Sequence, residues 1–358
     1  MEKPMSHYKN LVFKGGGVRG VAYIGALQYL YEQGMMRHIE RVAGTSAGAI
    51  TALGVAMNPT DFMSFKTLAN SLDYRKVPSE QDEKTEKLTS KRLIAIIEHY
   101  RELAIFKNLQ CSIRLLQEKG WYSSEYLYTW LRSIIAEQFT VTKDAYTFAD
   151  FANPQIHKDD RPFLDLYITG TDVSNRTSRL FSFETTPDME VALAVRISMS
   201  IPLFFEAIQY QYPGTEEPQF YVDGGVMWNY PINLFDDHKY CRKLNDGANT
   251  ETLGLFLFSS SEKTQYPPIK SMLDYMESLF ESVSTVQEQL AIRTEKNYSR
   301  TIYIDDCGID STDFDIEPED ERYRKLVESG YKATKEFFES KTEWSQFLAF
   351  LKDRFGWK

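Results

Sequence analysis

Apolar and polar positions along the first sixty residues fall into a strand, loop, helix order that occurs twice. An apolar run from Tyr8 to Phe13 leads into Lys14-Gly15-Gly16-Gly17-Val18-Arg19-Gly20, after which Val21, Ile24, Leu27 and Leu30 recur at helical spacing. Gly34 stands where a helix C-cap is expected. A second short strand, Ile39 to Ala43, then runs into Gly44-Thr45-Ser46-Ala47-Gly48 and an apolar helix that Asn58-Pro59 stops. This alternation predicts an α/β core.

From about Pro59 to Tyr146 the pattern predicts helix throughout, with the charged stretch Ser79 to Arg92 on a solvated loop or helix face. Strands return at Phe163 to Thr171 and Ser178 to Phe183, set to pair across Asp172 to Arg176, and again at Phe220 to Val222, Leu253 to Phe258 and Arg300 to Ile304. Long helices are expected around Ile269 to Lys296 and Glu319 to Lys341. The expected organisation is one domain over residues 8–310 with a helical insert at about 59–146, and a C-terminal helical extension over 311–358 packed on the core.

Composition narrows the function classes. An excess of 51 acidic over 41 basic side chains gives a net charge of -10, which argues against a nucleic-acid binder that must neutralise many phosphates. Cys111, Cys241 and Cys307 lie far apart, so neither a disulfide framework nor a Cys-x-x-Cys metal site is expected, and a reducing compartment fits. The stretch Met1 to Asn10 is polar, with no secretory signal, and no apolar run approaches the roughly 20 residues that cross a bilayer. The expectation is a cytoplasmic protein that meets lipid, if at all, peripherally from the aqueous side. The Met35-Met36 turn and the segment Trp121 to Trp130 are the sequence candidates for that contact.

Gly44-Thr45-Ser46-Ala47-Gly48 between a strand and a helix has the Gly-x-Ser-x-Gly form of a nucleophile elbow. Glycines on both flanks let the backbone turn sharply and hold the Ser46 hydroxyl at a helix N-terminus. There the Ala47 amide and the helix dipole favour negative charge developing on an attacked carbonyl. The triple glycine Gly15-Gly16-Gly17 places unobstructed amides at another helix start, where they can converge on an anion. Gly15, Gly17 and Gly20 also satisfy Gly-x-Gly-x-x-Gly, but the acidic residue that a dinucleotide site expects at the end of the second strand is replaced by Gly44-Thr45-Ser46.

A serine hydroxyl needs a base. Of the five histidines, only His238 follows a candidate acid in the Ser, Asp, His order of ordinary α/β-hydrolases, and its neighbours are polar. Asp223 closes the strand Phe220-Tyr221-Val222 and is followed by Gly224 and Gly225, which places a carboxylate at a sheet end beside open backbone.

Gly15-Gly16-Gly17-Val18-Arg19-Gly20, Gly44-Thr45-Ser46-Ala47-Gly48 and Asp223-Gly224-Gly225 together resemble the three signature blocks of patatin-like phospholipases, in the same order. The stretches Arg196 to Phe205 and Asn229-Tyr230-Pro231 add to the likeness, which spans most of Leu11 to Pro231. The resemblance implies a three-layer α/β/α core with a mostly parallel central sheet, and a Ser46/Asp223 dyad without histidine. It also implies an oxyanion hole at Gly15 to Gly17, with Arg19, Gly44, Ala47, Gly48 and Gly224 in support. The implied activity is cleavage of phospholipid or other acyl-ester lipids through an acyl-enzyme, with neither metal nor cofactor. A non-catalytic lipid- or phosphate-binding module and a neutral-lipid esterase are the alternatives. The insert and the chain after Thr250 match nothing in that pattern, so acyl position, oligomeric state and any protein activator stay open.

Overall fold

The computed structural model describes residues 8–78, 115, 117–158, 161–259, 268–270, 272–291, 295–318 and 320–339. The charged stretch from Ser79, most of the central part of the insert, and the last residues of the C-terminal extension lie outside them. The core is a mixed sheet. Strands β1 (Asn10–Phe13), β2 (Arg41–Gly44), β4 (Asp165–Asp172), β9 (Thr252–Phe258) and β10 (Thr301–Asp305) run parallel in the order β10-β9-β1-β2-β4. Three antiparallel pairings follow: β5 (Thr177–Ser182) on β4, β8 (Gln219–Asp223) on β4, and β7 (Ile208–Tyr210) on β8.

Two registers position the site. Phe13 lies opposite Gly44, so the glycine loop after β1 and the turn after β2 leave the sheet level with each other. On β4, β5 takes one edge from Tyr167 to Asp172, so β2 (to Ile168) and β8 (from Gly170) must share the other edge. Running in opposite directions, β2 and β8 meet end to end beside Thr169. The chain leaving Gly44 therefore faces the chain leaving Asp223.

Side chains alternate across the sheet as strand geometry requires. Leu11, Phe13, Val42 and Leu255 pack under α1 (Ala22–Glu32), α2 (Ala47–Met57) and the C-terminal α7 (Glu321–Glu339), whose Phe338 stacks on Tyr29. Val12, Ala43, Tyr167 and Phe256 face the opposite layer, formed by Tyr230, Ile232, Phe235 and Tyr240. The result is the expected three-layer α/β/α order.

The insert is not wholly helical. It holds α3 (Phe62–Asn70) and α4 (Glu125–Ala136), but between them Gly120–Tyr122 forms β3, paired in parallel with β6 (Leu203–Phe205) as a separate two-stranded sheet. A three-residue strand is too short to show alternation, and its pairing partner lies some eighty residues away. A further helix, α5 (Val191–Ser198), precedes β6, and α6 (Met272–Ala291) precedes β10.

Candidate active site

The turn from β2 to α2 takes two residues, Thr45 and Ser46. Ser46 adopts φ 54° and ψ -126°, a left-handed conformation that costs a residue with a side chain about 1–3 kcal/mol. The surroundings hold it there. Its N–H donates to Ser198 Oγ at 2.9 Å, and its carbonyl accepts from the N–H of Ala49 at 2.8 Å. The Thr45 hydroxyl is bonded to Thr169 Oγ1 at 2.6 Å and to the Trp228 carbonyl at 2.9 Å. The glycines of the motif are required by close approach: a Cβ on Gly44 would lie 2.1 Å from the Gly48 carbonyl oxygen, and one on Gly48 would lie 2.4 Å from that of Phe13.

Asp223 is fully buried at the end of β8. Its N–H donates to the Ser200 carbonyl, and its Oδ1 accepts the Gly225 N–H at 2.6 Å. Its Oδ2 is buried with no hydrogen-bond partner among the described residues. Burial pushes the carboxyl pKa up to about 7, against the downward pull of the Gly225 N–H and of the neighbouring Ser46 hydroxyl. The Ser46 hydroxyl itself rests on Met199 Sδ, 3.6 Å away. Sulfur is a weak acceptor, so this contact is easily exchanged.

The glycine loop is pinned by its carbonyls. Lys14 Nζ donates to the Gly15 carbonyl at 3.2 Å and Arg19 Nε to the Gly16 carbonyl at 3.1 Å. The Gly15 N–H is spent on the Asn229 carbonyl at 3.1 Å, whereas the N–H groups of Gly16 and Gly17 have no partner among the described residues. Gly17 sits at φ +57°, where a Cβ would lie 1.9 Å from the Ser311 carbonyl oxygen.

Both cations are balanced: Lys14 pairs with Glu288 at 2.7 Å, and Arg19 with Glu281 at 2.9 Å and Asp306 at 3.3 Å. Arg19 is therefore engaged as a loop fastener, with two carboxylates on its guanidinium.

Helix α6 closes the site, a role that the sequence pattern does not announce. Gln287 Nε2 donates to the carbonyls of Gly225 at 2.9 Å and Val226 at 2.7 Å, while its Oε1 accepts the Asn229 N–H at 3.0 Å. Phe280, Glu281, Ser284 and Glu288 of the same helix line a small cavity with Ser46 and the glycine loop. A narrow apolar cavity begins at Gly17, Ala47 and Met199 and runs between Leu72, Trp130 and Phe314. The polar spacing of Glu281, Ser284 and Glu288 is the signal that marks this face, but in sequence it reads as a solvated one.

The histidines stand apart. His238 is exposed on the segment after Phe235, and His38 is exposed before β2. His157 is buried, bonded through both ring nitrogens to the carbonyls of Arg161 and Asp150 and stacked on Phe163. None of these three lines either cavity beside Ser46. Among the described residues no group of His, Cys, Asp and Glu side chains has the arrangement of a metal site.

Of the sequence candidates for membrane contact, Met35, Met36 and Trp130 are buried in the core, whereas Trp121, Tyr122, Tyr126 and Tyr128 are half-buried. The exposed apolar side chains that do cluster are Tyr275, Leu279, Val283, Val286 and Leu290, a helically spaced stripe on the outer face of α6. No helix of the described residues is long and apolar enough to cross a membrane.

A serine at a strand-turn-helix elbow and an aspartate at the end of β8 thus leave a mixed sheet toward each other. The family model of patatin-like phospholipases matches residues 11–236, and the chain belongs to that family. It is 28% identical over 344 residues to the uncharacterised protein YqhO of Bacillus subtilis, covering 94% of this chain and 99% of that one. It is 26% identical over 228 residues to a protein of Invertebrate iridescent virus 6 named "Probable lipid hydrolase 463L", covering 64% of this chain and 63% of the other. The crystal structure of VipD from Legionella pneumophila shares the fold, with a TM-score of 0.55 at 18% identity over 94% of this chain and 67% of that one.

Proposed function

We propose that the chain hydrolyses fatty acyl esters of phospholipids or lysophospholipids with Ser46 as nucleophile and Asp223 as its base. The observation that carries this reading is the unpartnered Asp223 Oδ2, buried beside a serine held at a strained elbow. The Ser46 hydroxyl turns from Met199 to that oxygen and gives up its proton as Oγ bonds to the ester carbonyl carbon. Negative charge on the carbonyl oxygen is met by the free N–H groups of Gly16 and Gly17. Gly15 serves this cradle through its carbonyl and its bond to Asn229.

Collapse of the tetrahedral species breaks the bond to the alcohol, which leaves with the proton held by Asp223. Water then adds to the acyl-enzyme carbonyl carbon, giving a proton to Asp223, and collapse breaks the bond to Ser46 Oγ, which regains that proton from Asp223 as the fatty acid leaves. The apolar cavity beginning at Ala47 and Met199 suits the acyl chain. The apolar stripe of α6 supports peripheral contact with the lipid aggregate from which substrate is drawn.

Acyl release from phosphatidylcholine, lysophosphatidylcholine and triacylglycerol, measured side by side, tests the substrate class. Preference for the two phospholipids supports the reading. Turnover of triacylglycerol alone favours a neutral-lipid esterase, and tight lipid binding without turnover favours a binding module.

A further inference from the structure

Ser284 lies on the inner face of α6, with 2% of its surface exposed, and its Oγ has no hydrogen-bond partner among the described residues. It lines the same cavity as Ser46, Gly16 and Gly17. A buried hydroxyl without a partner is costly, and a helical serine usually avoids the cost by bonding the carbonyl one turn back, as Ser282 and Thr285 do to Ser278 and Glu281. Ser284 does not.

The two carboxylates of the cavity are already matched. Glu281 accepts from Arg19 and from Ser311 Oγ at 2.7 Å, and Glu288 pairs with Lys14. Unmatched donors among the described residues include the Gly16 N–H, the Gly17 N–H and the Ser284 O–H. An ester group brings acceptors only, a carbonyl oxygen and an alkoxy oxygen, so it complements this set.

Resting on the ester-hydrolase reading above, we infer that Ser284 is a substrate-binding residue whose hydroxyl donates a hydrogen bond to an ester oxygen of the bound lipid, between the glycine loop and α6.

The test uses the full chain with p-nitrophenyl butyrate as a soluble ester, and Ser284→Ala and Ser284→Cys as variants. Removing an unsatisfied buried hydroxyl is expected to leave the melting temperature equal or higher, while kcat/KM falls about three- to ten-fold, the worth of one neutral hydrogen bond. A bond already made in the ground state places that loss in KM. Ser284→Cys, which keeps the size and a weak donor, is expected to fall between wild type and Ser284→Ala.

Unchanged kcat/KM in Ser284→Ala, or a drop in melting temperature that accompanies the loss in both variants, would overturn the assignment. Labelling of Ser46 by a fluorophosphonate in the same preparations separates the two levels. Labelled wild type with indifferent Ser284 variants sinks only this inference, whereas wild type that neither labels nor turns over the ester sinks the hydrolase reading and this one with it.

Discussion

The backbone N–H of Asp223 donates to the carbonyl oxygen of Ser200 over 2.8 Å. Two residues earlier, Ser198 Oγ holds the Ser46 N–H, and between them Met199 Sδ takes the Ser46 hydroxyl. The end of α5 thus sets the position of both Ser46 and Asp223, which are far apart in the chain. Ser198→Ala leaves the Ser46 N–H buried and unpaired, a cost of about 1–3 kcal/mol. The expected result is a lower melting temperature and a fall in kcat for a soluble ester, measured by calorimetry and steady-state kinetics.

A buried base with a pKa of about 7 fixes the direction of two pH profiles. Asp223 must be ionised to accept the Ser46 proton, so kcat/KM for an uncharged ester should rise with pH and level off above about 8, with roughly one tenth of the plateau at pH 6.

Stability runs the other way. The folded carboxyl has a raised pKa, so its contribution is complete below the unfolded value near 4 and is lost as pH rises through about 7. Asp223→Asn keeps the shape and removes the charge. It should abolish most turnover while raising the melting temperature relative to wild type at pH 8, and the gap should narrow as pH falls and close only near pH 4. Parallel melting curves at both pH values would contradict the burial-driven shift.

Arg19 fastens the Gly16 carbonyl and neutralises Asp306, whose side chain is 1% exposed. Arg19→Ala leaves that carboxylate buried without its cation, at a cost of about 3 kcal/mol. The expected outcome is a fall in both denaturant midpoint and kcat, the second because the Gly16 and Gly17 amides lose their fixed direction. Urea titration alongside ester kinetics reads both.

The apolar stripe of α6 offers a separable readout. Leu279→Glu with Val286→Glu puts charge on the outer face, away from the cavity-lining residues. Flotation with phosphatidylcholine vesicles should fall several-fold, while turnover of a water-soluble ester stays within about two-fold of wild type. Equal loss of both activities would place the stripe in the fold's stability.

Much of this site was legible in the sequence because its signals are local. A two-residue turn between apolar runs, flanked by Gly44 and Gly48, specifies the Ser46 elbow by sterics alone, and the triple glycine announces a loop that no side chain can fill. The strands β4, β5, β8, β9 and β10 followed from alternation or unbroken apolar runs.

What escaped depends on contacts distant in sequence. The end-to-end meeting of β2 and β8 on one edge of β4 is a matter of register, which the short strand ending at Asp223 does not encode by itself. Lys14 is a charged residue at the start of a glycine loop, and it is buried only because Glu288 of α6, distant in the chain, pairs with it. Helix α6 shows its polar face to the site and its apolar face outward, so its pattern points the wrong way for a core helix. Gln287 and Ser284 were hidden for that reason.

Mass spectrometry of the protein after reaction with a fluorophosphonate tests the central claim most directly. The expected result is one covalent adduct, located on the peptide bearing Ser46 and abolished by Ser46→Ala, with labelling slowed severely in Asp223→Asn. An adduct on another serine, or undiminished labelling in Ser46→Ala, would contradict the assignment of the nucleophile.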